Sequence, residues 1–270
     1  MRRLCLVCLA LLTCQQAPAS PLRWRELSPG VHYAVARLPA ASAGGASLHV
    51  VRIDPRVASI RFVSASCSQS KPRTAGDWCR ARALSVAINL GMYQEDYRSN
   101  VGYARGPACV NNKTWSRSYK SVLVFEPKRD GIPSAAILDL DQPGSRDRTD
   151  DYRCVVQNLR LLRGSGQHVW PQQARSWSEA AVAQDDRGNI LFLFCRAPYT
   201  MRDFCSHILR QPLGIQRAMH VEGGPEASLS IHTAGLNVDL NGSYETGFRE
   251  DDSEARQWPI PNVIGVARRR

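Results

Sequence analysis

The chain has 270 residues, 35 Lys plus Arg against 24 Asp plus Glu, a formal charge of +11 and 43% apolar residues. At ~150 residues per domain this length allows one large domain or two small ones, and the ordinary apolar and charged content excludes disordered and fibrous chains. Thirty-one of the 35 basic residues are Arg, spread along the chain rather than clustered, and aromatics make up only 7%. A surface without basic and aromatic residues interleaved does not point to nucleic acid as a partner.

Residues 1–20 read as an export signal. Arg2 and Arg3 form a positive start and Leu4 to Leu12 an apolar stretch, the arrangement of a cleavable leader. The stretch is shorter than the about 20 apolar residues a membrane-crossing helix needs. Ala17-Pro18-Ala19-Ser20 offers small residues for ordinary cleavage. Leu11-Leu12-Thr13-Cys14 is similar to a bacterial lipobox, in which a lipid on Cys14 would be the one link to a membrane. Either route takes Cys5, Cys8 and Cys14 out of the nine cysteines. Six remain (Cys67, Cys79, Cys109, Cys154, Cys195 and Cys205), an even number that in an exported chain favours up to three disulfides, with buried free thiols as the alternative. The expected location is the periplasm, the outer membrane as a lipoprotein, or the exterior of a bacterial cell.

Past the leader, Val31 to Arg37 and Ser47 to Ile53 alternate as strands do, Asp54-Pro55 makes a turn, and Ala58 to Ser64 resumes the pattern. Thr74 has the chemistry of a helix N-cap, with Asp77 three residues on, and starts a short helix through Trp78 to Ala83. Ser85 to Asn89 reads as a buried strand, and Ser121 to Glu126 and Ala135 to Leu140 as two more. Asp139 to Asp151 is acidic and holds Pro143-Gly144. Its Asp139-Leu140-Asp141 start is similar to a calcium loop, but Pro143 sits where a ligand belongs, so a solvated loop is expected. Ala180 to Gln184 and Ile190 to Cys195 form a hairpin, Thr200 caps a helix to Leu209, and Ala218 to Glu222 is a strand that breaks at Gly223-Gly224-Pro225. With no repeat and no low-complexity linker, the expectation is one α+β domain over 21–270, a mixed sheet with flanking helices.

Two glycine turns follow buried strands and carry a polar residue to the strand end: Asn89-Leu90-Gly91-Met92-Tyr93 and Glu222-Gly223-Gly224-Pro225-Glu226. Glycines there let the backbone bend sharply and bring N–H groups to an anionic or sugar ligand, and a carboxylate at such an edge can act as a general acid or base. Each turn taken alone is also explained by turn geometry.

Together, and in this order, they resemble the phosphodiester glycosidase domain family. Its members show an Ala-x-Asn-Gly-Gly-Phe-Phe-like segment, a later hairpin and helix, a Leu-Asp-Gly-Gly-Gly-Ser-Ser-like turn and a closing Pro-Asn-Ala-like strand. The matching stretches here are Ala87 to Tyr93, Ala181 to Ile208, Val221 to Leu229 and Pro259 to Val266. Three departures fall in the second turn: Glu222 stands for the family's Asp, Pro225 for the third glycine, and Glu226 for the following hydroxyl. The resemblance implies cleavage of a sugar-1-phosphodiester or related glycosidic bond in an envelope or extracellular glycan; no cofactor and no metal ligand is assigned, and a divalent-ion requirement stays open. In that reading Glu222 and Glu226 are the catalytic carboxylates and Asn89 orients substrate. Gly91, Gly223 and Gly224 permit close backbone approach, and Arg117 and Arg175 are candidates to hold the phosphate. The alternative is a non-catalytic phosphosugar- or glycan-binding envelope protein, which the altered turn motivates.

Other patterns are weaker. His220-Val221-Glu222 imitates a deaminase His-x-Glu, but no Pro-Cys-x-x-Cys follows. His207, His220 and His232 lack metal-ligand spacing and read as structural. No Gly-x-Ser-x-Gly elbow and no Walker or dinucleotide loop is present. The acidic run 245–254 reads as a solvated loop, and its position between the glycine turn and the closing strand gives overhang of the site as the alternative.

Overall fold

The computed structural model describes residues 21–42, 44–243 and 256–268. The leader with Cys14 and the acidic run 245–254 lie outside the described residues. Two antiparallel sheets stack face to face. In the larger, the central neighbours are Gly44–Ile53, Ile190–Tyr199, Trp177–Asp185, Ile215–Gly223 and Tyr152–Arg163. In the smaller they are Leu236–Asn241, Ser228–Thr233, Leu84–Asn89, Asn262–Ala267 and Ile60–Ser64. Alternation decides which residues go where. On the Ile190–Tyr199 strand, Ile190, Phe192 and Phe194 face the smaller sheet and meet Val86, Ile88, Leu229 and Ile264. Leu191, Leu193 and Cys195 turn the other way, toward Phe204 and Ile208 of the helix Met201–Leu209. On the outer face of the smaller sheet, Leu84, Ala87 and Val263 pack against Ala75, Trp78 and Cys79 of the helix Ala75–Arg82. The result is four layers, helix, sheet, sheet, helix.

Both helices start as their sequences dictate. The Thr74 and Thr200 hydroxyls accept from the backbone N–H groups of Asp77 and Asp203 at 3.0 and 3.1 Å, filling donors that a helix start leaves open. Trp78 is fully buried, and its indole N–H donates to the Ile260 carbonyl at 2.9 Å, so its one polar atom is satisfied inside the apolar layer.

The α+β reading holds. Within it the expected mixed sheet is two sheets, and every strand pairing among the described residues is antiparallel. Antiparallel pairing suits a chain whose strands are joined largely by short turns. Two further expectations change. Asp139 is not solvated: it is 4% exposed and paired at 2.6 Å with Arg160, which reaches it from the strand on the far side of Ser121–Pro127. Of the six cysteines past the leader, only Cys67 and Cys109 form a disulfide. Cys79, Cys154, Cys195 and Cys205 are buried thiols, each used as a small apolar side chain in the core.

Candidate active site

The two glycine turns meet. The strand Leu84–Asn89 belongs to the smaller sheet and Ile215–Gly223 to the larger, and their ends converge at one edge of the sandwich. Asn89, 1% exposed, makes the join. Its Oδ1 accepts from the Ser228 N–H at 2.7 Å and its Nδ2 donates to the Glu226 carbonyl at 2.9 Å. The amide is therefore engaged with the backbone of the second turn. The structure gives Asn89 the task of shaping that turn, where the sequence suggested a donor to substrate.

The glycines are also closely packed against protein. A Cβ on Gly91 would lie 2.3 and 2.5 Å from the Asn158 and Asn100 side-chain oxygens. One on Gly223 would lie 2.8 Å from Trp177 and 3.3 Å from the His220 ring. Gly224 has φ +63°, a region that L side chains rarely enter. A Cβ on the facing Gly242 would run into the Gly224 carbonyl. Between them these contacts compress the second turn into the short 3-10 segment Gly224–Glu226, with Pro225 buried in its first turn.

A bulge sits in the strand just before this turn, where Ala180 pairs with Glu222 but Ala181 with His220. Bulges re-aim side chains next to functional sites. Glu222, buried at the strand end, has its carboxyl pushed up to about 8, chiefly by removal from water. The nearby His220 charge and a 3.1 Å hydrogen bond from the Gly223 N–H oppose that shift, while Glu226 and Glu179 add to it. Glu222 is thus a protonated carboxyl at neutral pH beside a second carboxylate.

Behind it lies a buried pair the sequence did not announce. His220 Nδ1 is 2.6 Å from Glu179 Oε1, the residues being 3% and 2% exposed. The Trp177 indole N–H donates to Glu179 Oε2 at 3.0 Å. Burial alone disfavours the imidazolium, but the Glu179 carboxylate, with help from Glu222, overrides it and raises the His220 pKa.

Two tyrosines complete the rim. The Tyr93 phenol is held well above its usual range by burial and then by the Glu226 and Glu222 charges. Tyr119 is raised by burial and by Glu222. Gln157, with no exposure, pins the Tyr119 loop: its Nε2 donates to the Ser116 and Tyr119 carbonyls at 2.7 Å each, and its Oε1 accepts from the Ser116 N–H at 2.9 Å. Neighbouring Asn158 donates to the Leu90 carbonyl at 2.8 Å and so holds the first turn.

The structure therefore brings together Asn89, Gly91, Glu222, Gly223, Gly224 and Glu226. Arg117 and Arg175 are exposed, each two residues from a side chain of the site, Tyr119 and Trp177. The charges acting on Glu222 are those of His220, Glu226 and Glu179, not either guanidinium. Glu179, His220, Tyr119, Gln157 and Asn158 were missed. A lone Glu opening an otherwise apolar strand was the available signal for the first. Among the described residues, no group of three or more His, Cys, Asp or Glu is placed to hold a metal ion.

The fold has known counterparts. The catalytic domain of zebrafish N-acetylglucosamine-1-phosphodiester alpha-N-acetylglucosaminidase, auto-inhibited by its pro-peptide, superposes with a TM-score of 0.62 at 13% identity, covering 94% of this chain and 87% of that one. A hypothetical protein from Synechocystis gives a TM-score of 0.61 at 14% identity, covering 92% of this chain and 64% of that one. At such identities the likeness is one of fold. A comparison with curated protein sequences finds no match. The phosphodiester glycosidase family, however, matches residues 82–267, a stretch that contains both glycine turns, the bulged strand and the closing strand. The chain belongs to the phosphodiester glycosidase family.

Proposed function

We propose that this protein is an exported hydrolase that breaks the bond between a sugar C1 and the oxygen of a phosphodiester, or a closely related glycosidic bond, in an envelope or extracellular glycan. The observation that carries the reading is Glu222: a buried carboxyl, protonated at neutral pH, beside the Glu226 carboxylate on a turn fixed by the Asn89 amide. Cleavage of a C1–O bond needs a proton for the departing oxygen and negative charge to offset the positive charge that grows at C1. Glu222 supplies the proton to the phosphate oxygen, and Glu226, the less buried of the two, faces C1 as nucleophile or as base for water. Water completes the reaction, leaving free sugar and a phosphomonoester. Arg117 and Arg175, exposed and two residues from Tyr119 and Trp177, are the basic groups suited to the phosphate. Export is supported by the leader and by the Cys67–Cys109 disulfide, a bond of oxidising compartments.

One observation favours a second reading. Pro225 has no N–H to offer an oxyanion, so the turn holds one donor fewer than an all-glycine turn. In that reading the protein binds a phosphosugar without cutting it. Incubation with a hexosamine-1-phosphodiester, with free sugar and phosphomonoester followed over hours, separates the two. Equimolar release of both products supports the hydrolase. Calorimetric binding without release overturns it in favour of the binding protein.

A further inference from the structure

Among the described residues, the large apolar and aromatic side chains that stand exposed are four valines and a single aromatic, Tyr97, at 63%. It is also held in an unusual backbone, with φ +54°. A tyrosine in this region costs about 1 kcal/mol or more unless the surroundings impose it. Here they do. The Asp96 carboxylate accepts from the N–H groups of Arg98 and Ser99 at 2.9 and 2.8 Å and from the Ser99 hydroxyl at 2.6 Å. The Gln94 N–H donates to the Ser99 carbonyl at 2.8 Å, closing the loop. The Arg98 carbonyl is gripped by the side-chain amides of Asn111 and Asn262, each at 2.9 Å. Asn262 opens the closing strand of the smaller sheet, and Asn111 lies two residues from the disulfide-bonded Cys109. The loop is tied at every turn, yet the ring it carries is left in water.

That ring has a direction. Its centroid is 5.6 Å from that of Tyr93, which in turn senses both site carboxylates. Tyr93 follows Asn89 by four residues, and Asn89 donates to the Glu226 carbonyl at 2.9 Å, so Tyr97 stands on the loop that leaves the carboxylate turn. A rigid aromatic face at the rim of a site built for a glycosidic bond matches the apolar C–H face of a pyranose, and rigidity means little ordering cost on binding.

We propose that Tyr97 is a sugar-stacking platform, the subsite for a pyranose ring of the substrate next to the bond that is cut. This rests on the glycosidic reading of the site. The test uses the full chain with Tyr97→Ala, Tyr97→Phe and Tyr97→Trp, each assayed on a hexosamine-1-phosphodiester. Tyr97→Ala raises KM about tenfold with kcat nearly unchanged, while Phe and Trp keep KM within about twofold, because stacking needs the ring and not the hydroxyl. The melting temperature of Tyr97→Ala stays close to the parent's, since the ring is 63% exposed and its one ring contact is with Tyr93. Binding of the same compound to Glu222→Gln and to Glu222→Gln with Tyr97→Ala, measured by calorimetry, shows the same tenfold loss. An unchanged KM for Tyr97→Ala in a preparation that turns over overturns the platform and leaves the hydrolase standing. No turnover by the parent, but binding that depends on the ring, supports the platform and removes the hydrolase.

Discussion

Asn89 Oδ1 accepts the Ser228 N–H at 2.7 Å, and that bond fixes the point where the chain, leaving the larger sheet through the Glu222 turn, enters the smaller sheet beside the strand of Asn89. The same amide donates to the Glu226 carbonyl. Asn89→Ala leaves the buried Ser228 N–H without its partner, which costs about 1–3 kcal/mol, while the Glu226 carbonyl keeps the Ser228 hydroxyl at 3.0 Å. Urea denaturation should show the variant less stable by about 1–3 kcal/mol, with activity lost even where it is folded. A loss under about 0.5 kcal/mol contradicts the role given to Asn89.

The glycines make a second point. Gly242→Ala places a methyl against the Gly224 carbonyl, and Gly91→Ala places one 2.3 Å from the Asn158 side chain. Backbone has to move in the first case, whereas in the second a side chain can swing. Gly242→Ala is therefore the more damaging, lowering the melting temperature and displacing the Glu222 turn. If turnover survives Gly242→Ala better than Gly91→Ala, the packing account of this turn is wrong.

Activity should depend on pH through Glu222. The acid form donates the proton, so kcat is level below and declines as pH rises through about 8. Stability follows the same sign. Between about 4.5 and about 8 the unfolded chain releases this proton while the folded chain keeps it, so rising pH costs stability over that window. His220, also raised, adds a cost in the same direction above its usual range. Glu179→Gln removes the counter-charge of His220, which then becomes neutral. With the opposing imidazolium gone, the Glu222 carboxyl is pushed higher, and the alkaline limb of kcat moves up. The loss of Glu179's own repulsion acts the other way but is the smaller effect. A limb that moves down refutes the coupling.

Thiol counts test the cysteine arrangement. The four buried cysteines have burial as the main cause of their raised pKa, so the folded protein without its leader should show almost no reactive thiol. Denaturant without reductant should expose four. Zero in denaturant means three disulfides and contradicts the structure.

Much of the fold was legible because periodicity and caps are local. The alternation around Phe192, the Thr74 and Thr200 caps and the glycine turns are all written in neighbouring residues. What was not legible depends on distant partners. Tyr152–Arg163 reads poorly as a strand because Arg153, Arg160 and Arg163 interrupt it, yet its two polar interior residues, Gln157 and Asn158, hold two loops of the site. Asp139 reads as solvated until Arg160 is placed beside it. Asn89 and Glu222 were found by motif order, but the motif does not say that the asparagine binds the turn rather than a ligand. Glu179 became visible only when the sheet set it against His220.

The central claim is that the protonated Glu222 carboxyl is the acid that releases the sugar. It is tested most directly by comparing Glu222→Gln with the parent for sugar release from a hexosamine-1-phosphodiester at about pH 6.5, where the Glu222 carboxyl still holds its proton. The amide matches the neutral carboxyl in shape but cannot give up a proton to the leaving oxygen. The account predicts a fall in kcat of at least about 10³-fold with the melting temperature nearly unchanged. Equal turnover by the folded variant contradicts it.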